Sequence, residues 1–173
     1  MKIKLGVLTV LALAVWSMKH YYAVATADDL WWILGPTAWL VGVVTGTPFA
    51  LAPGEGYFSR EHLFLIEKSC AGINFMIAAF GMLTCTCLRR VDSGVSGARV
   101  LAASLLASYA AAVLVNAVRI AIAMPLAAHP VAVSTLTPGE VHRFEGIAVY
   151  FAGLVLLYEV VPRFDRGTDR IDA

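Results

Sequence analysis

The chain has 173 residues, 60% of them hydrophobic and 14% charged, with a net charge of +1 and a mean hydropathy of +0.77. That balance excludes an ordinary soluble domain, about a quarter of whose residues carry charge, and it leaves no basic footprint for a nucleic-acid partner. The length accommodates four to six membrane-crossing helices with short loops, each needing roughly 20 apolar residues, so residues 1–173 are read as a single integral-membrane domain in contact with lipid.

Five apolar segments follow one another. The first, Leu5 to Met18, stands behind Lys2 and Lys4. An alternative reading makes it a signal peptide cut near Ala25-Thr26-Ala27, although Lys19, His20 and two tyrosines separate the apolar core from that site. The second, Leu30 to Val44, is interrupted by Gly35-Pro36 and carries Trp31, Trp32 and Trp39. Gly54-Glu55-Gly56-Tyr57 then signals a turn. Tyr57 to Arg60 and Leu63 to Ile66 fit either a short hairpin or an interfacial segment. The third, fourth and fifth segments, Cys70 to Leu88, Val100 to Met124 and Phe144 to Val161, are long and nearly free of charge. They are read as membrane spans.

Positive residues gather in cytoplasmic loops. Arg89, Arg90 and Arg99 lie between segments three and four, Arg163, Arg166 and Arg170 follow segment five, and Lys2 and Lys4 precede segment one. All three places are cytoplasmic only if segment two does not cross. It is therefore expected to be interfacial or re-entrant, with its tryptophans at headgroup level. The expected fold is an all-α polytopic membrane helical bundle with about four spans, cytoplasmic termini and an external stretch over residues 19–69; five spans are the alternative.

This topology brings Cys70, Arg119 and His142 to one membrane face. Cys70 lies roughly 25 Å along the helix from Cys85 and Cys87, too far for a disulfide with either. A lone thiol on the oxidising side is a liability unless it is used; the plain alternative is a buried cysteine acting as a small hydrophobe. At the start of a span, the helix dipole would favour the thiolate, the first-turn amides could hold an oxyanion, and Gly72 would let a substrate backbone come close. Arg119 sits inside an apolar run, where a cation usually faces a cavity or a partner, and shares a helix face with Asn116 at i, i+3; snorkelling to the headgroups is the alternative. His142, in His142-Arg143-Phe144-Glu145-Gly146, is the one histidine standing just before a span and the best general base, with Glu145 placed to orient it or to balance Arg143. No metal pattern, phosphate loop or Ser/His/Asp set accompanies these residues, and no metal or other cofactor is expected.

Cys70-Ala71-Gly72 with Ile73-Asn74-Phe75, then Asn116-Ala117-Val118-Arg119-Ile120, then His142 before the last span, resemble the exosortase/archaeosortase family of membrane transpeptidases. The resemblance covers about Gly54 to Val161. Pro53-Gly54-Glu55-Gly56-Tyr57 and the residues 142–146 look most like the exosortase K branch. It implies a cysteine transpeptidase or peptidase with Cys70, Arg119 and His142 as catalytic residues and Gly72, Asn74, Asn116 and Glu145 in support. It also implies exported proteins with a C-terminal sorting helix as substrates, cleaved through a Cys70 thioester at the outer face of a bacterial cytoplasmic membrane and passed to an envelope acceptor. Residue 71 is alanine where the family commonly has serine, and the N-terminal spans are fewer than in larger members. Set against this are a non-enzymatic membrane scaffold or assembly subunit, a small transporter using Arg119 as an anion site, and a protease that hydrolyses without transfer.

Overall fold

The structure, a computed structural model, describes residues 1–128 and 137–168, with side chains except at positions 128, 138, 142 and 161–168. It has five helices among the described residues: α1 (Lys2–Val24), α2 (Trp31–Thr45), α3 (Ile73–Cys87), α4 (Gly94–Ala128) and α5 (Pro138–Thr168). Four stretches are long and apolar enough to cross a membrane, Lys2–Val24, Lys68–Arg90, Gly94–Ala127 and Gly139–Val160. The chain is an all-α membrane protein with one small sheet.

The odd helix out is α2. Its 15 residues reach about 22 Å at 1.5 Å per residue, short of the roughly 30 Å hydrocarbon core. Trp31 and Trp39 are largely exposed on it, as interfacial residues would be. The expected interruption at Gly35-Pro36 is absent and the helix runs through Pro36. Proline's fixed φ is helical, and its cost here falls on the backbone bond it cannot donate.

Short polar signals decide where helices start. Thr26 donates from its amide and hydroxyl to Asp29 Oδ2 at 2.8 and 2.7 Å, and the Asp29 amide donates back to Thr26 Oγ1. These bonds, the backbone one first, hold the Asp29 carboxyl below its usual range. The cap is therefore complete above the ordinary carboxylate range and is lost only as pH falls through the depressed folded value. At the head of α4, Ser93 Oγ accepts from the Ser96 amide at 3.2 Å. At the head of α5, the Thr137 amide donates to Glu140 Oε2 at 2.8 Å while Thr137 Oγ1 accepts from the Glu140 amide. With Pro138 as first helical residue, this is a capping box. It corrects the expected start of segment five: the helix begins at Pro138, so His142 lies in its second turn instead of preceding it.

Two compact units partition the chain, with α4 and α5 contributing to both. The first takes residues 1–23, 73–112 and the chain from Gly153. Phe75, Met76, Ala79, Phe80 and Leu83 bury one face of α3, and α1 buries Val7 and Leu11. Gly97 lets α4 meet α1 closely, since a Cβ there would lie 2.7 Å from Val7 Cγ2.

The second unit takes Val24–Gly72 and Val113–Ala152. It holds α2 and a three-stranded antiparallel sheet in the order β1 (Ala50–Ala52), β2 (Gly56–Ser59), β3 (Phe64–Ile66). Leu51 pairs with Tyr57, and Tyr57 in turn with Ile66. The sequence left hairpin and interfacial segment undecided between Tyr57 and Ile66; the structure forms a meander with one strand more. Asp28 anchors its first turn, its carboxylate accepting from the Gly54 amide at 2.9 and 3.0 Å. Leu30, Ile33, Leu34, Val41 and Ile66 are fully buried beneath it.

Gly56 is the tightest point of the sheet. Its φ is +121°, and a Cβ would stand 2.3 Å from the Ile66 carbonyl oxygen. Gly56→Ala should cost about 2 kcal/mol or more, read as a lowered unfolding temperature in detergent. Gly81→Ala, in a helix with open space around it, should be neutral or mildly stabilising.

Candidate active site

Cys70 closes a 3-10 turn, Lys68–Cys70, that leaves β3. The Cys70 amide donates to the Glu67 carbonyl at 2.8 Å, and the Ala71 amide to that of Lys68 at 3.1 Å. Lys68 Nζ reaches the Ala25 carbonyl at 2.6 Å, tying the turn to the chain just ahead of the Thr26 cap. Two expectations are corrected here. Cys70 does not open a helix, because Gly72 at φ +68° separates it from α3, which begins at Ile73. The Cys70 and Ala71 amides are also committed to local carbonyls and are not available to an oxyanion.

The space beside Gly72 is taken by Asn116, whose Cγ would lie 3.3 Å from a Cβ at that position. Asn116 is fully buried, and Nδ2 donates to the Cys70 carbonyl. Its Oδ1 accepts from the Tyr150 hydroxyl at 2.8 Å, and that hydroxyl accepts from Arg119 Nη1 at 3.3 Å. A directional chain of donors thus runs from Arg119 through Tyr150 and Asn116 to the backbone of Cys70. The guanidinium carbon lies 5.3 Å from the centre of the Tyr150 ring, within cation–π range. Gly146, one turn before Tyr150, packs against Arg119: a Cβ there would stand 2.8 Å from Nε.

Cys70 and Arg119 both line a cavity of about 270 Å³. Glu67 and Ser69, both exposed, line it with them. Ser69 Oγ donates to Glu67 Oε1 at 2.7 Å and lies 3.9 Å from Cys70 Sγ. Because the hydroxyl proton goes to the carboxylate, which can only accept, the thiol is the donor in the longer contact. The arrangement sets a half-buried thiol and a fixed cation around one opening, the requirements for attack on a carbonyl and neutralisation of the resulting oxyanion.

The remaining nominated residues fall out differently. Glu145 lies within electrostatic range of Arg119 and of Tyr150, which adds the site cation to the roles expected of it, while Arg143 is exposed. Asn74 belongs to the first unit, where its Oδ1 accepts from Lys19 Nζ at 2.7 Å. The backbone of His142 is helical, but its side chain lies outside the described residues. Cys70, Cys85 and Cys87 are all free thiols, and among the described residues no cluster of His, Cys, Asp and Glu is suited to a metal ion.

Tyr150 escaped the sequence reading. Its one signal was a hydroxyl within an apolar run, one turn past Gly146. Glu67 and Ser69 were also passed over, although they are near neighbours of Cys70 in the chain. The chain matches no protein-family model, no curated protein and no solved structure.

Tyr150→Phe removes both links of the phenol and leaves the buried Asn116 Oδ1 without its donor. A loss of about 1–3 kcal/mol is expected, measured as a shift in unfolding temperature. Combined with Asn116→Ala, the loss should fall short of the sum by about 0.5 kcal/mol or more, because the two residues act in one network.

Proposed function

We propose that the chain is a cysteine transpeptidase or peptidase of exosortase-like type, embedded in a bacterial cytoplasmic membrane. It cleaves C-terminal sorting signals of exported proteins at the outer face, and passes the acyl group held on Cys70 to an envelope acceptor. The observation that carries this reading is the cavity shared by Cys70 and Arg119. A thiol alone has a bland explanation as a small hydrophobe; a thiol and a guanidinium opening on the same space do not. The motif resemblance from Gly54 to Val161 supports the same conclusion.

In this mechanism His142 takes the Cys70 thiol proton, and the resulting thiolate attacks the carbonyl carbon of the scissile peptide. A C–S bond forms and the carbonyl electron pair moves to oxygen, where Arg119 offsets the charge. Collapse breaks the C–N bond, and the departing amine takes a proton from protonated His142. Position 142 shares, by the helical period, the face of α5 that carries Gly146 and Tyr150. An acceptor then gives its proton to His142 and attacks the thioester, which returns the Cys70 thiolate. Water as that acceptor makes the enzyme a protease; another nucleophile makes it a transpeptidase. Asn116 and Tyr150 hold the Cys70 backbone and the guanidinium in register.

The test is co-expression with a sorting-tail protein from the same genome, following tail removal by gel shift. Cys70→Ala and His142→Ala should abolish processing. Arg119→Ala should slow it on the order of 10²–10³-fold. Each variant should accumulate in the membrane as wild type does. Processing that survives Cys70→Ala would overturn the nucleophile and favour a scaffold, which should equally tolerate Cys70→Ser.

A further inference from the structure

We propose that the cavity beside Cys70 is a subsite for one apolar side chain, of leucine to phenylalanine size, on the substrate residue that presents its carbonyl to the thiol. The proposal rests on the acyl-transfer reading above and adds the substrate class that the same site would select. Apart from Glu67, Ser69, Cys70 and Arg119 the walls are apolar: Phe64 and Leu65 from β3, and Ile120, Ala123 and Ala127 from α4. Arg119, Ala123 and Ala127 recur at i, i+4 and i+8, so one face of α4 carries the cation and then falls away into the cavity. The two alanines keep that space open. Leucine at either position would project into it.

Size and polarity decide the occupant. An apolar cavity of about 150 Å³ accepts benzene, so the roughly 270 Å³ here has room for a branched aliphatic or aromatic side chain. A charged or amide side chain set against these apolar walls would find no hydrogen-bonding partner on them for the hydration it gives up. An apolar one gains by leaving water. Of the charged groups that line the cavity, Glu67 is engaged by Ser69 and Arg119 by Tyr150. Because Cys70 is itself part of the cavity wall, the side chain that enters it belongs to a residue close to the attacked carbonyl.

Alkylation of Cys70 tests the pocket without any sorting substrate. The purified full-length chain in detergent is treated with iodoacetamide or N-isobutyl iodoacetamide, and labelling is read by mass spectrometry at Cys70. The exposed Cys85 serves as internal reference for the partitioning of the more apolar reagent. After that correction, the isobutyl reagent should label Cys70 on the order of fivefold faster than iodoacetamide, the gain expected from partly burying an isobutyl group. Ala127→Phe, at an exposed helix position, should erase the preference. Leu65→Gln should reduce it in the same direction. Absence of a preference in wild type, or a preference that both variants retain, would overturn the subsite. The two proposals fail separately: a preference that vanishes in Ala127→Phe while no sorting-tail protein is ever processed keeps the pocket and sinks the transpeptidase. Cys70-dependent processing with no labelling preference does the reverse.

Discussion

A guanidinium within an apolar helix costs about 2.5–3.5 kcal/mol at the centre of a membrane, and the interaction that makes Arg119 tolerable also builds the site. Its Nη1 reaches Tyr150, Tyr150 reaches Asn116, and Asn116 reaches the carbonyl of Cys70. Every member has its donor or acceptor used in one direction. Bonds of this kind are stronger in a low-dielectric interior and costly when broken there. The chain therefore fixes three segments far apart in sequence: the turn after β3, the middle of α4 and the early part of α5. Gly72 and Gly146 leave the space for it, one beside Asn116 and the other beside the guanidinium.

The soluble-looking part of the second unit serves the same end. The sheet and α2 form a small packed body whose fully buried residues include Leu30, Ile33, Leu34 and Ile66. Asp28 ties its first turn and Lys68 ties its exit to Ala25. A cysteine on a 3-10 turn is thereby held at both ends, by Lys68 just before it and by Asn116 through its own carbonyl. Such rigidity would suit the nucleophile proposed at Cys70, since attack requires its geometry to hold within a fraction of an ångström.

Much of this was legible in the chain. Segments three, four and five show as spans because lipid demands long uncharged helices, and charge parity favours a non-spanning segment two over the five-span alternative, in keeping with its 15-residue helix. Cys70, Asn116 and Arg119 stood out because polar or reactive groups are rare in such runs. The failures are equally physical. Apolarity does not separate a 3-10 turn from a helix, so Cys70 and Ala71 were merged into α3; only Gly72's positive φ marks the break. The head of α5 is encoded in Thr137-Pro138-Gly139-Glu140, ahead of the apolar run, because a cap is polar and lies outside the stretch that lipid requires to be apolar. Tyr150 looks like an ordinary aromatic until Asn116, 34 residues earlier, is seen to need a donor.

Composition and the lengths of the apolar runs by themselves determined that this is an all-α membrane protein and which polar residues those runs carry, with four crossings standing beside five. These are properties of segments, set by what each stretch of chain must do with its own backbone and side chains in lipid. Only the tertiary structure decided which of those polar residues share a site. It joined Cys70 to Asn116, Tyr150 and Arg119, assigned Asn74 to Lys19 instead, and folded residues 50–66 into a sheet. Those choices depend on packing between distant segments and on satisfying buried donors and acceptors, and no local pattern encodes which partner a buried group will find.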